Sequence, residues 1–185
     1  MRPSPVRIAV LAALAVAAAR FAAPVAAGTT IVANGSAQIY VGAGSSLTAV
    51  DSIRFTVPGA DVGSGAPVTG REGAASGATL VDAYARAPGG QPRSVVWSVD
   101  SSQPLVCTTA ATCGSTTIPM SKFRWIASGG SEVGNGAFQG VPNQVLHVFP
   151  TSRYVYVYKT FLYANDEVVP AGTYVGRVVY TLSMP

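Results

Sequence analysis

The sequence predicts an all-β protein, an antiparallel β-sandwich of immunoglobulin-like size and strand count. Two patterns support this prediction. Apolar and polar residues alternate along many short segments, and clusters of glycine and proline separate these segments. The chain has 185 residues with 20 Gly, 13 Pro and only 11% charged residues, which is typical of an extracellular β-protein. Beyond a leader, we expect a single sandwich domain over residues 28–185.

The first 27 residues have the pattern of a secretory signal peptide. Arg2 and Arg7 provide a positive start, an apolar run follows over 8–19, and small residues precede Gly28. As a helix the run extends about 18 Å, less than the ~30 Å hydrocarbon core, so we expect cleavage and no membrane span in the mature chain. Cleavage after Ala19 and an uncleaved anchor are the alternatives. The expected location is the periplasm, the cell surface or the medium.

The charge pattern argues against a nucleic-acid partner. The formal net charge of +4 includes Arg2, Arg7 and Arg20, which leave with the leader. The closest basic pair of the remaining chain, Lys122 and Arg124, has the spacing of one strand face and belongs to no basic tract.

Cys107 and Cys113 are the only cysteines of the chain. In an oxidising compartment their short spacing predicts a local disulfide that closes a tight turn. A metal or redox pair is the alternative, but the spacing is not Cys-x-x-Cys and His147 is the only histidine. We therefore expect neither a metal site nor a cofactor.

Along the chain, alternation predicts strands over Ile31–Val41 and through Leu47–Val57, with a bulge near Asp51. Residues 58–77 lack a sustained period and predict a long surface loop, either functional or mobile. A second glycine-rich loop is predicted over Gly129–Gly140. The other predicted strands are Ala78–Arg86, Ser94–Val99, Leu105–Thr109, Thr116–Ser128, a strand with Val145, His147 and Phe149 on one face, and Arg153–Ala164.

The closing segment, residues 172–184, alternates most clearly. Its polar positions include Arg177, Thr181 and Ser183. The apolar residues at its even positions are Tyr174, Val178, Tyr180, Leu182 and Met184. This pattern predicts one long strand with a buried face. Because a terminal strand can lie at a sheet edge, its unpaired backbone groups can accept another strand.

No constellation of residues indicates catalysis, so we expect a protein that is not an enzyme. His147 alternates with Val145 and Phe149, which is typical of a strand-face side chain rather than of a base. Asp166 and Glu167 are candidates for paired carboxylates or calcium ligands, but the preference of Asn and Asp for turns explains this segment more simply.

A row of tyrosines, Tyr154, Tyr156 and Tyr158, is the one feature that suggests ligand binding. An exposed aromatic row can stack on sugar rings or on another protein. We expect the row to form one wall of the core instead, because the opposite face of the same strand contains Arg153 and Lys159.

The segment from Ala171 to Thr181 resembles the final strand of fimbrial (pilus) subunits assembled by the chaperone–usher route. In those subunits a glycine precedes an alternating apolar strand near the end of the chain, and Gly172 has that position here. The resemblance implies an incomplete immunoglobulin-like sandwich that receives its missing strand from the N-terminal extension of a neighbour. Ile31–Val41 is then the candidate donor, and pairing within its own sandwich is the alternative. The implied strand-pairing residues are Ile31, Gly35, Ile39, Gly172, Tyr174, Val178, Tyr180 and Leu182.

These patterns together predict a secreted bacterial surface protein that is not an enzyme and that resembles a structural subunit of a fimbrium. We expect it to self-associate or to join other subunits through edge-strand pairing. The segment also resembles the ends of secreted bacterial β-sandwich proteins without a known activity. The alternative function is a free-standing secreted binding module for a carbohydrate or a protein, with its site at the tyrosine row or at the loops 58–77 and 129–140.

Overall fold

The computed structural model describes residues 38–41, 53–72, 78–84, 94–130, 132–150 and 153–184. The predicted leader, residues 31–37 and the start of the predicted strand Leu47–Val57 lie outside the described residues. Within them, the prediction of an all-β, sandwich-like fold is confirmed: the chain forms antiparallel strands and few helical turns.

The strands are numbered along the chain. They are β1 (Gln38–Val41), β2 (Ile53–Arg54), β3 (Val68–Thr69), β4 (Arg71–Glu72), β5 (Ala78–Tyr84), β6 (Ser94–Asp100), β7 (Leu105–Cys107), β8 (Thr117–Ile118), β9 (Phe123–Ser128), β10 (Gly136–Ala137), β11 (Gln144–Pro150), β12 (Tyr154–Tyr163), β13 (Tyr174–Val175) and β14 (Val179–Ser183). A short helix, α1 (Ala110–Cys113), lies between β7 and β8. The predicted strands at 78–86, 94–99, 105–109 and 153–164 are thus confirmed as β5, β6, β7 and β12.

Two sheets form the sandwich. The first sheet has six strands in the order β1-β5-β12-β9-β10, and β3 pairs with the end of β12. The second sheet has three strands in the order β11-β6-β14. A third sheet, β13-β7-β8, and the pair β2-β4 complete the described strands.

The core consists of alternate side chains from both sheets. Valines and aromatic rings suit a pleated, buried surface, and they supply most of it. The second sheet contributes Val95, Trp97, Val99, Phe149, Tyr180 and Leu182. The first sheet contributes Phe123, Trp125, Val155, Val157, Phe161 and Tyr163.

Several predicted elements differ from the structure. The predicted strand Thr116–Ser128 is divided into β8, a 3-10 turn over Met120–Lys122 and β9. Pro119 precedes the turn, and a residue without an N–H cannot continue a central ladder. The turn buries Met120, which is 6% exposed, so it adds an apolar side chain to the core.

The prediction that Val145, His147 and Phe149 share one face is wrong for Val145. The register of β11 against β6 shifts between Val145 and His147, which is the signature of a β-bulge. Val145 is 57% exposed on one side of the shift, whereas Phe149 is 1% exposed on the other.

The predicted loop 58–77 contains ordered structure in its described part. A 3-10 turn forms over Gly59–Asp61, and β3 and β4 follow, so the prediction of one continuous long surface loop is wrong there. Asn165, just after β12, is 1% exposed and binds this segment. Its side chain accepts a hydrogen bond from Gly63 N at 3.1 Å and donates to Asp61 O at 2.8 Å.

Asn165 also has a left-handed backbone, with φ at 50°. Asparagine tolerates this conformation because its short polar side chain can bond locally. The same residue therefore turns the chain after β12 and holds the 58–66 segment against that turn.

We expect Asn165→Ala to lower the free energy of unfolding by about 2–4 kcal/mol, because it removes several buried hydrogen bonds and leaves backbone groups of the 58–66 segment without a partner. Urea unfolding measures the change. Asn143→Ala is the matched control, since Asn143 has the same backbone conformation (φ 58°) but is exposed. We expect it to cost about 1 kcal/mol or less. Equal losses in the two variants would contradict this role.

Candidate functional site

The closing segment forms two short strands, so the prediction of one long strand over 172–184 is wrong. β13 pairs with β7 in the third sheet, and β14 pairs with β6 in the second. Gly176 lies between them, and a Cβ there would approach Leu105 Cγ at 2.9 Å and Met120 Cε at 3.0 Å. The chain therefore changes sheets at a residue whose lack of a side chain permits close packing.

β14 is the outer strand of the second sheet. Tyr180 and Leu182 are 6% and 4% exposed and belong to the core, while Val178 and Met184 pack against it. Among the described residues β14 pairs only with β6, so its other edge has no ladder. The strand is thus anchored by its side chains, while one row of its backbone groups is not paired with any strand that the structure describes.

The described end of the candidate donor pairs within its own chain. β1 is antiparallel to β5 in the first sheet, with Ile39 opposite Ala83. Ile31 and Gly35 lie outside the described residues. β1 is the outer strand of its sheet, and some of its Cα atoms lie within 8 Å of those of β14. The open edges of the first and last described strands therefore lie on the same side of the sandwich.

Gly172 packs on the disulfide. The prediction of a Cys107–Cys113 bond is confirmed, and the two Cα atoms are 5.9 Å apart. A Cβ at Gly172 would overlap Cys113 Sγ, so only glycine lets the chain cross the disulfide this closely. Thr108 N donates to Thr173 O at 2.8 Å, which ties the disulfide loop to the start of β13. Tyr174 then pairs with Cys107 and is half-buried.

The tyrosine row faces outward, so our expectation that it forms a wall of the core is wrong. Tyr156 and Tyr158 are 39% and 43% exposed, whereas Val155 and Val157 between the sheets are buried. The side chain of Tyr154 lies outside the described part of the structure.

The exposed rings of Tyr156 and Tyr158 are nearly perpendicular. Their centroids are 6.1 Å apart at an interplanar angle of 84°. Gly129 and Gly130, with φ of 61° and 63°, bring the loop after β9 against these rings, and a side chain on either glycine would clash there. The two glycines thus allow the loop after β9 to pack closely on β12.

A concavity of about 430 Å³ lies in the same loop. It is lined by Ala127, Ser128, Gly129, Gly130, Val133, Gly134 and Asn135. Its shape is fixed by two hydrogen bonds: Trp125 Nε1 donates to Gly134 O at 2.9 Å, and Ala127 N donates to Asn135 Oδ1 at 2.8 Å.

Lys159 lies fully buried between the two sheets. It follows Val157 on the inward face of β12 and is 0% exposed. Its Nζ is 4.4 Å from the ring centroid of Trp125, 5.2 Å from Trp97 and 5.4 Å from Tyr180. In the described part of the chain Nζ has no hydrogen-bond partner, and neither have Trp97 Nε1 and Tyr180 Oη.

Burial lowers the pKa of the Lys159 ammonium from 10.5 to about 7, because the charged form loses its hydration. The three aromatic rings oppose this shift, since their negative faces attract a cation. Burial also raises the pKa of the Tyr180 hydroxyl. The interior therefore contains an amine that changes charge near neutral pH and that, among the described residues, faces no carboxylate.

The candidate catalytic and calcium-binding residues contact charged side chains. His147 Nε2 lies 3.4 Å from Glu132 Oε2, and the same carboxylate pairs with Arg153. Asp166 and Glu167 pair with Lys122 at 3.0 and 2.6 Å, and these hydrogen bonds lower the pKa of Asp166.

Among the described residues, no three His, Cys, Asp or Glu side chains cluster as metal ligands. The helices found there are too short or too polar to cross a membrane.

Sequence reasoning missed Lys159 and the concavity. No local pattern marks Lys159 as buried, because a lysine on one face of a strand usually indicates that this face is exposed. The concavity has no sequence signal either, since it depends on how a glycine loop packs. Comparisons with protein-family models, curated proteins and solved structures find no match to this chain.

We expect the free energy of unfolding to rise with pH between about pH 7 and pH 9.5. In this window the unfolded chain keeps a proton on Lys159 that the folded chain has lost. The slope approaches about 1.4 kcal/mol per pH unit, and below pH 7 the amine is charged in both states and contributes no slope. Urea unfolding at a series of pH values measures it.

We also expect Lys159→Met to remove this slope and to stabilise the fold by about 1–4 kcal/mol at pH 6, because a similar apolar side chain carries no charge to bury. Lys122→Met is the control: Lys122 is the other lysine of the chain, and its carboxylate partners raise its pKa above this window. A slope that persists in Lys159→Met, or a destabilised variant, would show that the amine is not buried as described.

Proposed function

We propose that this chain is a non-enzymatic structural subunit of an exported, fimbria-like bacterial surface assembly, joined to its neighbour by strand addition at β14. The observation that carries this proposal is the open edge of β14, the last strand, beside the open edge of β1, the first described strand. Among the residues that the structure describes, no strand pairs with either of these edges.

The anchoring of β14 supports its role as an acceptor. Tyr180 and Leu182 insert into the core, and the pairing with β6 runs from Val179 to Ser183. A strand that adds to the free edge gains backbone hydrogen bonds without any need for β14 to move. An edge held in this way is preorganised, which reduces the entropy lost on association.

The donated segment is residues 31–37 of a neighbouring copy. Gln38–Val41 already pairs with β5 of its own chain, so the donor must lie upstream of it. Residues 31–37 alternate between apolar positions and polar or small ones, which is the pattern of a strand with one buried face. β1, the strand that follows this segment in the sequence, has Cα atoms within 8 Å of those of β14.

A comparison of two chains, one starting at Gly28 and one at Gln38, tests this proposal. We expect the longer chain to form multimers whose size increases with concentration, because each copy provides a donor and an acceptor. The shorter chain retains β1, stays monomeric and binds a synthetic peptide of residues 28–37. Light scattering after gel filtration and peptide titration provide the measurements.

Two control peptides separate strand pairing from adhesion of an apolar segment. A scrambled peptide has the same composition without the alternation, and a peptide N-methylated at alternate residues lacks the N–H groups of one edge. Two N-methylated peptides are needed, one methylated at the odd residues and one at the even residues. We expect the scrambled peptide not to bind. We also expect one of the two N-methylated peptides not to bind, because it lacks the N–H groups of the pairing edge. A longer chain that stays monomeric at millimolar concentration would overturn the proposal, and peptide binding by the shorter chain would then assign the segment to its own sandwich.

A further inference from the structure

The outer face of the first sheet joins the tyrosines to the concavity in the loop after β9. Ser128 lines the concavity and lies directly opposite Tyr158 in the pairing of β9 with β12. Residues directly opposite each other in an antiparallel pair point to the same face and are close neighbours. Ser128, a lining residue with an exposed side chain, and the exposed ring of Tyr158 therefore lie side by side, and this ring also packs on Gly129 of the lining.

The concavity is uncharged. None of its lining residues has an ionisable side chain. Glu132 belongs to the same loop, but its carboxylate pairs with Arg153 and faces His147. A charged ligand would find no counter-charge in this lining, so the surface suits a neutral one.

Two polar side-chain groups in the concavity are available to a ligand. The Ser128 hydroxyl has no hydrogen-bond partner in the described part of the chain. Asn135 uses its Oδ1 to accept from Ala127 N, which holds the side chain in place and leaves Nδ2 as a donor. Both residues are exposed, and the bond to Ala127 orients Asn135 before any ligand arrives.

We propose that Tyr158, Ser128 and Asn135 form a binding site for a neutral oligosaccharide. A pyranose ring with equatorial hydroxyls has apolar C–H faces and a polar rim. Its face stacks on the Tyr158 ring, its hydroxyls bond to Ser128 Oγ and Asn135 Nδ2, and Tyr156 provides a wall at a right angle to the stacking ring.

This site is separate from the open edge of β14. It lies on the outward face of the first sheet, whereas β14 belongs to the second sheet. The binding test can therefore succeed or fail whether or not the chain assembles by strand addition.

Titration of the ¹⁵N-labelled protein with cellopentaose, a neutral β-linked glucose oligomer, tests the proposal. We expect saturable shifts of the backbone amides of Ser128, Gly129 and Gly130, with a Kd on the order of 1 mM because the site is shallow. A galacturonic acid oligomer of the same length is expected to cause no saturable shift, since its carboxylates find no partner.

Variants assign the binding to the tyrosine. We expect Tyr158→Ala to weaken binding by about tenfold or more and Tyr158→Phe to retain it, because stacking requires the ring and not the hydroxyl. Ile126→Ala is the matched control: Ile126 is 46% exposed on β9 and does not line the concavity. Its Kd is expected to equal that of the parent.

Three outcomes would overturn the proposal: no saturable shift with cellopentaose, an unchanged Kd in Tyr158→Ala, or equal binding of the charged oligomer. Because Tyr158→Phe keeps the packing on Gly129, a loss of binding in that variant would also contradict ring stacking as the basis of recognition.

Discussion

Trp97 of β6, Trp125 of β9 and Tyr180 of β14 surround the amine of Lys159 on β12, so four strands from both sheets meet at one side chain. A buried amine without a hydrogen-bond partner costs free energy. Ring faces offset part of this cost when the amine is charged, and aliphatic side chains would not. The relative position of the two sheets depends on this cluster, because each sheet contributes at least one ring to it.

The positions of both candidate surfaces follow from this interior. Because side chains alternate along a strand, burial of Val157 and Lys159 directs Tyr156 and Tyr158 outward, against the loop with Gly129 and Gly130. On the second sheet, Tyr180 anchors β14 in the core and so holds an open edge in place.

Departures from regular strands occur where a single residue has a special backbone or packing role. Asn165 turns the chain after β12 and binds the 58–66 segment, and Gly176 lets the chain pass from the third sheet to the second. The bulge in β11 places Val145 and Phe149 on opposite faces. Each of these features depends on a partner that is distant in the sequence, so a local pattern does not reveal it.

The sequence by itself determined the all-β class, the strands β5, β6, β7 and β12, and the Cys107–Cys113 pair. Alternation and short spacing are local properties, and for these elements local preference agrees with the tertiary structure. Only the tertiary structure decided which face of β12 is buried, because Tyr156 and Val157 are both suited to a core and alternation alone does not say which face meets the other sheet. It likewise decided that residues 172–184 divide between two sheets, since the close packing of Gly176 on Leu105 and Met120 involves residues far apart in the chain.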